Sequence, residues 1–217
     1  NFKYYIKQMS QKIIFIEGNI GSGKTTLLKR LSELVNNCQV IYEPLDMWTN
    51  LKDSSGKNIL EHFYTDMEKH SYAFQSIAFL SRTKSLEKID PTKKYIFVER
   101  SIHSDKEIFA KNCFNKGIMP EIHYNLYNEW FSWMENMLNL KNVTHVYLRC
   151  DPKISYERLQ KRSRDEEKSV ELDYLEDIHQ CHEEWFNRID NYISLDASKS
   201  FNIDDKEMEI IINKLIN

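Results

Sequence analysis

Short runs of apolar, β-branched residues recur along the chain, each followed by a polar or glycine-containing segment. The first, residues 12–17, reads Lys-Ile-Ile-Phe-Ile-Glu and ends at a glycine, which is typical of a strand buried on both faces. Similar runs predict strands at residues 39–43, 95–99 and 143–148, with a weaker candidate at 192–195. Strands of this kind belong to parallel sheets, so we predict a sheet of about five parallel strands.

Between these runs, apolar residues recur with the period of about 3.6 residues that is typical of amphipathic helices. We predict helices at residues 24–36, 59–86 with a break, 105–114, 120–138, 152–161, 170–188 and 204–216. Strands that alternate with helices predict an α/β fold in which right-handed crossovers wrap helices around the sheet. Ligands bind such folds beyond the carboxyl ends of the strands, so the candidate chemistry should lie directly after strands.

Length and charge narrow the class of protein. A chain of 217 residues suits one domain, and we expect residues 1–217 to form it. The net charge is −3 with basic residues scattered among acids, which argues against a nucleic-acid polymer as partner and favours a small molecule. No apolar run approaches the roughly 20 residues that span a bilayer, so we expect no membrane partner.

Cysteine usage bears on the compartment. The four cysteines show no paired spacing and no secretory segment precedes the first strand, which favours a reducing compartment such as the cytoplasm. The sequence can begin inside a longer chain, so a missing organellar presequence stays open.

A phosphate-binding motif follows the first predicted strand and opens the first predicted helix. It matches the pattern G-x-x-x-x-G-K-[ST] and consists of Gly18, Asn19, Ile20, Gly21, Ser22, Gly23, Lys24 and Thr25. Backbone N–H groups of such a loop surround phosphate oxygens, the lysine reaches the β- and γ-phosphates, and the Thr25 hydroxyl is a ligand for Mg²⁺. The motif predicts a nucleoside triphosphate and Mg²⁺ as cofactors.

The loop alone leaves kinases, NTPase motors and GTPase switches open. A GTPase would carry an Asn-Lys-x-Asp run, whereas Asn115-Lys116-Gly117-Ile118 lacks the aspartate. The D-x-x-G sequence at residues 53–56 follows no strand, and we predict a loop there.

Two carboxylates lie at the carboxyl ends of predicted strands. Glu43 ends the second predicted strand, and Glu99 precedes Arg100 at the end of the third. Phosphoryl transfer to a hydroxyl needs a proton acceptor near the attacking oxygen and a metal ligand near the leaving one, and these two residues can divide the tasks. The alternative is that both glutamates only cap the helices that follow.

A charged, serine-containing segment separates two predicted helices. Three arginines, Arg158, Arg162 and Arg164, precede a run of acids that ends at Glu167. Such a run is usually a solvated surface. After a phosphate loop it also fits a lid, at about residues 158–168, whose guanidinium groups stabilise developing charge.

With these residues assembled, the chain closely resembles the deoxynucleoside kinases of the deoxycytidine, deoxyguanosine and deoxyadenosine kinase group. The resemblance extends from Ile13 to about Phe201. Its marks are the phosphate loop continued by Thr26, Glu43-Pro44 with Trp48, Tyr72-Ala73-Phe74-Gln75 leading to Leu80-Ser81-Arg82, Glu99-Arg100-Ser101 with Asp105, the lid, Asp173-Tyr174-Leu175, and His182-Glu183-Glu184-Trp185.

The resemblance implies an ATP-dependent, Mg²⁺-dependent kinase that acts on the 5′-hydroxyl of a deoxyribonucleoside. It assigns Glu43 as the base, Arg100 to the hydroxyl and phosphates, and Glu99 with Thr25 to magnesium. The remaining implied roles concern the nucleobase (Gln75, Trp48, Phe74, Phe109), the sugar 3′-hydroxyl (Tyr64, Glu167), the phosphates (Lys24, Arg162, Arg164) and the adenine of ATP (Arg158). Periodicity alone would place Trp48, Phe74 and Phe109 in the core.

The pair Arg82 and Asp105 is similar to the arrangement that accepts an exocyclic amine in this family. We therefore expect deoxycytidine and purine deoxynucleosides to be preferred over thymidine. A broad-specificity or thymidine-accepting enzyme is the first alternative, a thymidylate kinase the second and a non-catalytic nucleotide-binding module the third. The resemblance also implies a homodimer, for which the aromatic residues of 124–138 offer a face, although a buried helix explains them as well.

Overall fold

The protein contains a five-stranded sheet in which all neighbouring strands are parallel. The computed structural model describes residues 11–138, 143–162, 167 and 170–216. The strands are β1 (Lys12–Gly18), β2 (Cys38–Ile41), β3 (Tyr95–Glu99), β4 (Val143–Arg149) and β5 (Tyr192–Asp196), in the order β2-β3-β1-β4-β5. The predicted α/β fold is confirmed. Only β2 departs from its predicted bounds in a way that matters, since it ends two residues before Glu43.

Helices connect the strands and cover both faces of the sheet. They are α1 (Lys24–Leu34), α2 (Leu45–Thr49), α3 (Ile59–Thr65), α4 (Met67–Leu86), α5 (Ile102–Ser104), α6 (Lys111–Asn115), α7 (Glu121–Leu138), α8 (Pro152–Arg162), α9 (Leu172–Phe186) and α10 (Asp205–Ile216). The break predicted within residues 59–86 occurs at Asp66, whose side chain accepts a hydrogen bond from Lys69 N and so starts α4. Helix α2 was not predicted.

The segment predicted as one helix at residues 105–114 is longer and less regular. It begins at Ile102, and a π-helix over Asp105–Ala110 joins α5 to α6. Short π-helical turns often occur at functional sites. Here the π-helix begins at Asp105, which is buried.

Successive residues of β1 point to opposite faces of the sheet, as the strand period of two requires. Phe15 packs with Phe63, Phe79 and Phe131 on one face. Ile14 and Ile16 pack with residues of α1 and α10 on the other, including Leu27, Leu31 and Met208. Both faces of β1 are therefore buried, which explains why its sequence is a continuous apolar run.

Strand register places the candidate chemistry at one edge of the sheet. Ile16 of β1 lies beside Glu99 of β3, so the phosphate loop after β1 adjoins the turn after β3. The carboxyl end of β2 lies next to the same turn, because Ile41 pairs with Val98. The candidate residues after β1, β2 and β3 therefore lie close together, and their chemical roles stay predictions. Across the described ranges, no helix is long and apolar enough to span a bilayer.

Candidate active site

A cavity of about 670 Å³ opens at the carboxyl edge of the sheet. It brings together residues that lie far apart in the sequence, from the phosphate loop to the segment after β5. The predicted site residues that line it are Ile20, Gly21, Gly23, Lys24, Thr25, Thr26, Glu43, Trp48, Tyr64, Phe74, Gln75, Arg82, Glu99, Arg100, Asp105, Phe109, Arg158, Arg162 and Glu167. Gly18, Asn19 and Ser22 belong to the loop but do not line the cavity, and Arg164, with the other predicted lid residues at 163, 165, 166 and 168, lies outside the described residues.

The phosphate loop needs glycine where it passes α8. Gly21 has φ of 81°, and a Cβ atom there would lie 2.3 Å from Ser155 O. Asn19 fixes the other side of the loop, because its Nδ2 donates to Leu175 O at 2.8 Å. The loop is thus held between α8 and α9 with its backbone at the cavity.

The Lys24 ammonium group folds back over this loop. Its Nζ donates to Asn19 O at 2.8 Å and to Gly18 O at 3.2 Å. Burial lowers the pKa of Lys24 to about 7, and the Arg100 guanidinium acts in the same direction, while Glu99 and Glu43 oppose the shift. A bound phosphate would restore the charged form of this lysine.

Thr25 and Glu99, the two residues predicted on the magnesium side, contact each other. Thr25 Oγ1 donates to Glu99 Oε1 at 2.9 Å, and Glu99 Oε2 lies 3.5 Å from Glu43 N. A hydroxyl and a carboxylate are oxygen ligands that Mg²⁺ prefers, and Mg²⁺ commonly takes one or two protein ligands beside substrate phosphates and water. These residues therefore fit the metal. Within the described part of the chain, no group of three or more His, Cys, Asp or Glu forms a separate metal site.

Glu43 lies directly after β2, with its carboxylate between two arginines. Arg82 Nη2 donates to its Oε1 at 2.8 Å, and Arg100 Nε lies 3.4 Å from the same oxygen. Burial alone would raise the pKa of Glu43, but Arg82, Arg100 and Lys24 together lower it to about 2. The carboxylate is therefore ionised at neutral pH before any substrate binds.

Arg82 also binds Asp105 and the backbone of β3. Its Nε lies 2.9 Å from both carboxylate oxygens of Asp105, and its Nη1 donates to Glu99 O at 3.2 Å. Both side chains are buried. Burial raises the pKa of Asp105 to about 6, although Arg82 opposes the shift. One guanidinium group thus joins the residue predicted to read the base to the residue predicted to take the proton.

Aromatic rings form one wall of the cavity. Trp48 meets Phe74 edge-on at 5.4 Å between ring centroids, and Phe74 stacks on Phe63 at 4.6 Å. Trp48 Nε1 donates to Ser81 Oγ at 2.9 Å, which fixes the indole. Trp48 and Phe74 belong to the hydrophobic core and also line the cavity, and their contact with a nucleobase stays a prediction. Phe63 also lines the cavity but was not predicted to do so, because helical spacing does not distinguish an aromatic residue of a binding site from one of the core.

Two polar side chains and a stacked ring complete this part of the cavity. Gln75 is buried, and its Nε2 has no hydrogen-bond partner among the described residues, which leaves a donor for a ligand. Arg100 Cζ lies 4.8 Å above the Phe109 ring. Burial and the nearby Glu167 carboxylate raise the pKa of Tyr64, so its hydroxyl stays protonated.

The described residues of the predicted lid make ion pairs and backbone contacts. Arg162 forms a salt bridge with Glu167. Arg158 does not project freely, because it donates to Ala197 O at 2.7 Å and Ser198 O at 2.8 Å. The loop that it holds continues into three cavity residues that were not predicted, Lys199, Ser200 and Phe201. They follow β5, so the rule that ligands bind after strands would have found them.

Comparison with known proteins identifies relatives over most of the chain. The family model described as deoxynucleoside kinase matches residues 14–217. A protein named "probable deoxycytidine kinase" in fowlpox virus is 39% identical over 179 residues, which make up 82% of this chain and 73% of the relative. Deoxycytidine kinase 2 of Gallus gallus is 34% identical over 235 residues, covering 93% of this chain and 88% of the relative. Mitochondrial thymidine kinase 2 of Homo sapiens is 38% identical over 175 residues, covering 81% of this chain and 64% of that protein.

Proposed function

Because the chain belongs to the deoxynucleoside kinase family, we propose that it transfers the γ-phosphoryl group of ATP to the 5′-hydroxyl of a deoxyribonucleoside, as in nucleotide salvage. The observation that carries the proposal is the position of Glu43, whose carboxylate shares one cavity with the phosphate loop and lies against Arg82 and Arg100. A carboxylate there can accept the proton of an attacking hydroxyl while the arginine next to it stabilises charge on the transferred group.

The acceptor side of the mechanism depends on the partners of Glu43. With a pKa near 2 the carboxylate is a weak base, since Arg82, Arg100 and Lys24 outweigh the effect of burial. A nucleoside whose base takes Arg82 as hydrogen-bond partner would loosen the Arg82–Glu43 bond and make Glu43 more basic. We therefore infer that recognition of the base assists proton transfer.

On the donor side, the phosphate loop and Lys24 would hold the β- and γ-phosphates, and Arg162 and Arg164 would close over them. Mg²⁺, when bound, neutralises charge on the phosphates, and Thr25 and Glu99 would hold it. Arg158 positions the loop that leads to Phe201, whose ring lines the same cavity. This arrangement supports ATP as donor, with its base near Arg158 and Phe201.

For the acceptor base we propose deoxycytidine or a purine deoxynucleoside rather than thymidine. The Arg82–Asp105 pair supports this, because a buried carboxylate accepts from an exocyclic amine and faces a carbonyl unfavourably. The names of the relatives include both deoxycytidine kinase and thymidine kinase 2, so broad specificity remains the alternative. A monophosphate acceptor is disfavoured, since Glu43 and Glu99 would repel a second phosphate.

We further propose a homodimer and a cytoplasmic location. Helix α7 carries a row of exposed apolar side chains on one face: Ile122 (72% exposed), Leu126 (45%), Trp130 (51%) and Trp133 (53%). Leu80 of the neighbouring α4 is exposed as well. A stripe this apolar favours burial against a second copy.

All four cysteines are free, which is compatible with a reducing compartment.

The experiment that tests the catalytic proposal is the substitution Glu43→Gln. The amide keeps the size and the acceptor oxygen but cannot take the proton, so kcat with deoxycytidine should fall by about 10²- to 10⁴-fold. ATP affinity, measured by calorimetry, should stay within about threefold, because Glu43 lies on the acceptor side. An unchanged kcat would reject Glu43 as base, and binding of ATP without turnover by the unmodified protein would support the non-catalytic module.

A further inference from the structure

A buried carboxylate lies behind the active site, at the junction of β1 and the phosphate loop. Glu17 is fully buried, does not line the cavity and directly precedes Gly18. Its Oε1 accepts a hydrogen bond from Ser101 N at 3.0 Å and lies 3.4 Å from His145 Nδ1. Burial opposes its charge, but His145, Ser101 and Arg100 outweigh that effect and lower the pKa of Glu17 to about 2. Because burying an ionised carboxylate costs free energy of folding, we expect Glu17 to have a functional role.

The Ser101 N–H group that donates to Glu17 belongs to an unusual turn. Arg100, the residue before Ser101, has φ of 63°, a left-handed conformation that residues with a side chain rarely adopt. Arg100 N donates to Ile16 O at 3.0 Å. Two successive N–H groups of the turn are thus bound by two successive residues of β1. Ser101 Oγ then accepts from Ser104 N at 3.3 Å, which starts helix α5.

This turn directs the Arg100 side chain into the active site. From its left-handed backbone, Arg100 reaches Glu43 with its Nε at 3.4 Å and covers the Phe109 ring at 4.8 Å. The preceding carbonyl, Glu99 O, accepts from Arg82 at 3.2 Å. A turn that relaxed toward an extended conformation would move the guanidinium group away from Glu43.

We propose that Glu17 is a positioning residue for catalysis, which holds the Arg100–Ser101 turn so that Arg100 meets Glu43 and the transferred phosphoryl group. Because Glu17 is also the residue before Gly18, it fixes the turn relative to the phosphate loop. Glu17 touches no substrate and acts through Arg100. The inference rests on the proposed role of Arg100 in phosphoryl transfer.

Two substitutions that keep approximately the size of Glu17 distinguish the effect of its hydrogen bond to Ser101 N from the effect of filling the buried space. Glu17→Gln keeps an oxygen that can accept from Ser101 N, whereas Glu17→Met fills the same space without an acceptor. We expect Glu17→Met to lower kcat by about 30- to 100-fold, as a misplaced catalytic group does, with the KM for ATP changed by less than about threefold. Glu17→Gln should retain kcat within about fivefold.

A double-mutant cycle with Arg100→Met shows whether Glu17 acts through Arg100. If it does, Glu17→Met should lower kcat by less than about threefold in the Arg100→Met protein, because the group that it positions is already missing. Equal losses in both backgrounds would overturn the inference and indicate a general structural role. So would equal kcat values for Glu17→Gln and Glu17→Met.

The cycle also distinguishes this inference from the proposed function. If Arg100→Met leaves kcat unchanged, the catalytic role of Arg100 fails and the inference fails with it. If Arg100→Met lowers kcat but Glu17→Met does not, only the inference fails. Should Glu17→Met not fold, Glu17→Asp takes its place, because the shorter carboxylate keeps the charge but withdraws the oxygen from Ser101 N. Full kcat in Glu17→Asp would then overturn the inference.

Discussion

Arg82 donates from Nη2 to Glu43 Oε1 across 2.8 Å, while its Nε binds Asp105. The same guanidinium group therefore contacts a residue that we expect to read the nucleobase and one that we expect to take the proton. If these two roles are correct, a single buried side chain joins base recognition to proton transfer, and changes at Arg82 should affect both kcat and specificity.

The first prediction concerns specificity. In a protein carrying both Arg82→Met and Asp105→Ala, the ratio of kcat/KM for deoxycytidine to that for thymidine should fall by at least about tenfold, because the buried pair no longer penalises a carbonyl. The two kcat values should also fall, because Glu43 loses the side chain that fixes its orientation, and we expect this loss to outweigh the gain in basicity. Steady-state kinetics with both nucleosides measure the ratio. A ratio equal to that of the unmodified protein would show that base choice is made elsewhere.

The second prediction concerns Lys24, whose pKa is lowered to about 7 in the ligand-free protein. Above pH 7 this lysine is largely neutral, and bound phosphate should raise its pKa, so ATP binding should take up a proton. The Kd for ATP should therefore increase by up to about tenfold between pH 6 and pH 8. Calorimetry in buffers with different ionisation enthalpies detects the uptake.

Lys24→Arg is the control for this measurement, because arginine stays charged over the whole range. Protons released or taken up by ATP itself are common to both proteins and cancel in the difference. Equal proton uptake by the two proteins would contradict the assignment to Lys24.

The third prediction concerns the exposed stripe on α7. The double substitution Trp130→Ser and Trp133→Ser should convert a dimer to a monomer at micromolar concentration, as measured by sedimentation velocity. Ile210→Ser on α10 is the matched control, since Ile210 is apolar and 71% exposed but lies on another helix. A monomeric unmodified protein, or a variant that remains dimeric, would contradict a dimer built on this face.

Most of the fold is readable from the sequence because the strands are buried on both faces. The continuous apolar run of β1 and the run at Tyr95–Glu99 mark their strands almost to the residue. Helix α2 could not be predicted from the sequence, because its five residues after Pro44 are too few to show a helical period. The π-helix at Asp105–Ala110 could not be predicted either, because a single π-turn has no hydrophobic periodicity that distinguishes it from an α-helix.

The candidate site was readable in part, and for different reasons at different residues. Glu43 and Glu99 follow from the rule that ligands bind after strands. Trp48, Gln75 and Tyr64 came only from the family resemblance, because nothing in their spacing separates a wall residue from a core residue. The bond from Arg82 to Glu43 and the contact of Glu17 with Ser101 join residues 39 and 84 positions apart, which one sequence cannot reveal. The roles of the site residues, the lid and the single-domain organisation stay predictions.

The central claim is that the chain phosphorylates the 5′-hydroxyl of a deoxyribonucleoside, and initial rates of ATP consumption with Mg²⁺ test it most directly. The acceptors to compare are deoxycytidine, deoxyadenosine, deoxyguanosine, thymidine and thymidine monophosphate, with the product identified by chromatography. We predict 5′-monophosphates from the amine-bearing nucleosides, with thymidine at least about tenfold poorer in kcat/KM. Turnover of thymidine monophosphate alone, or of no acceptor at all, would contradict the claim.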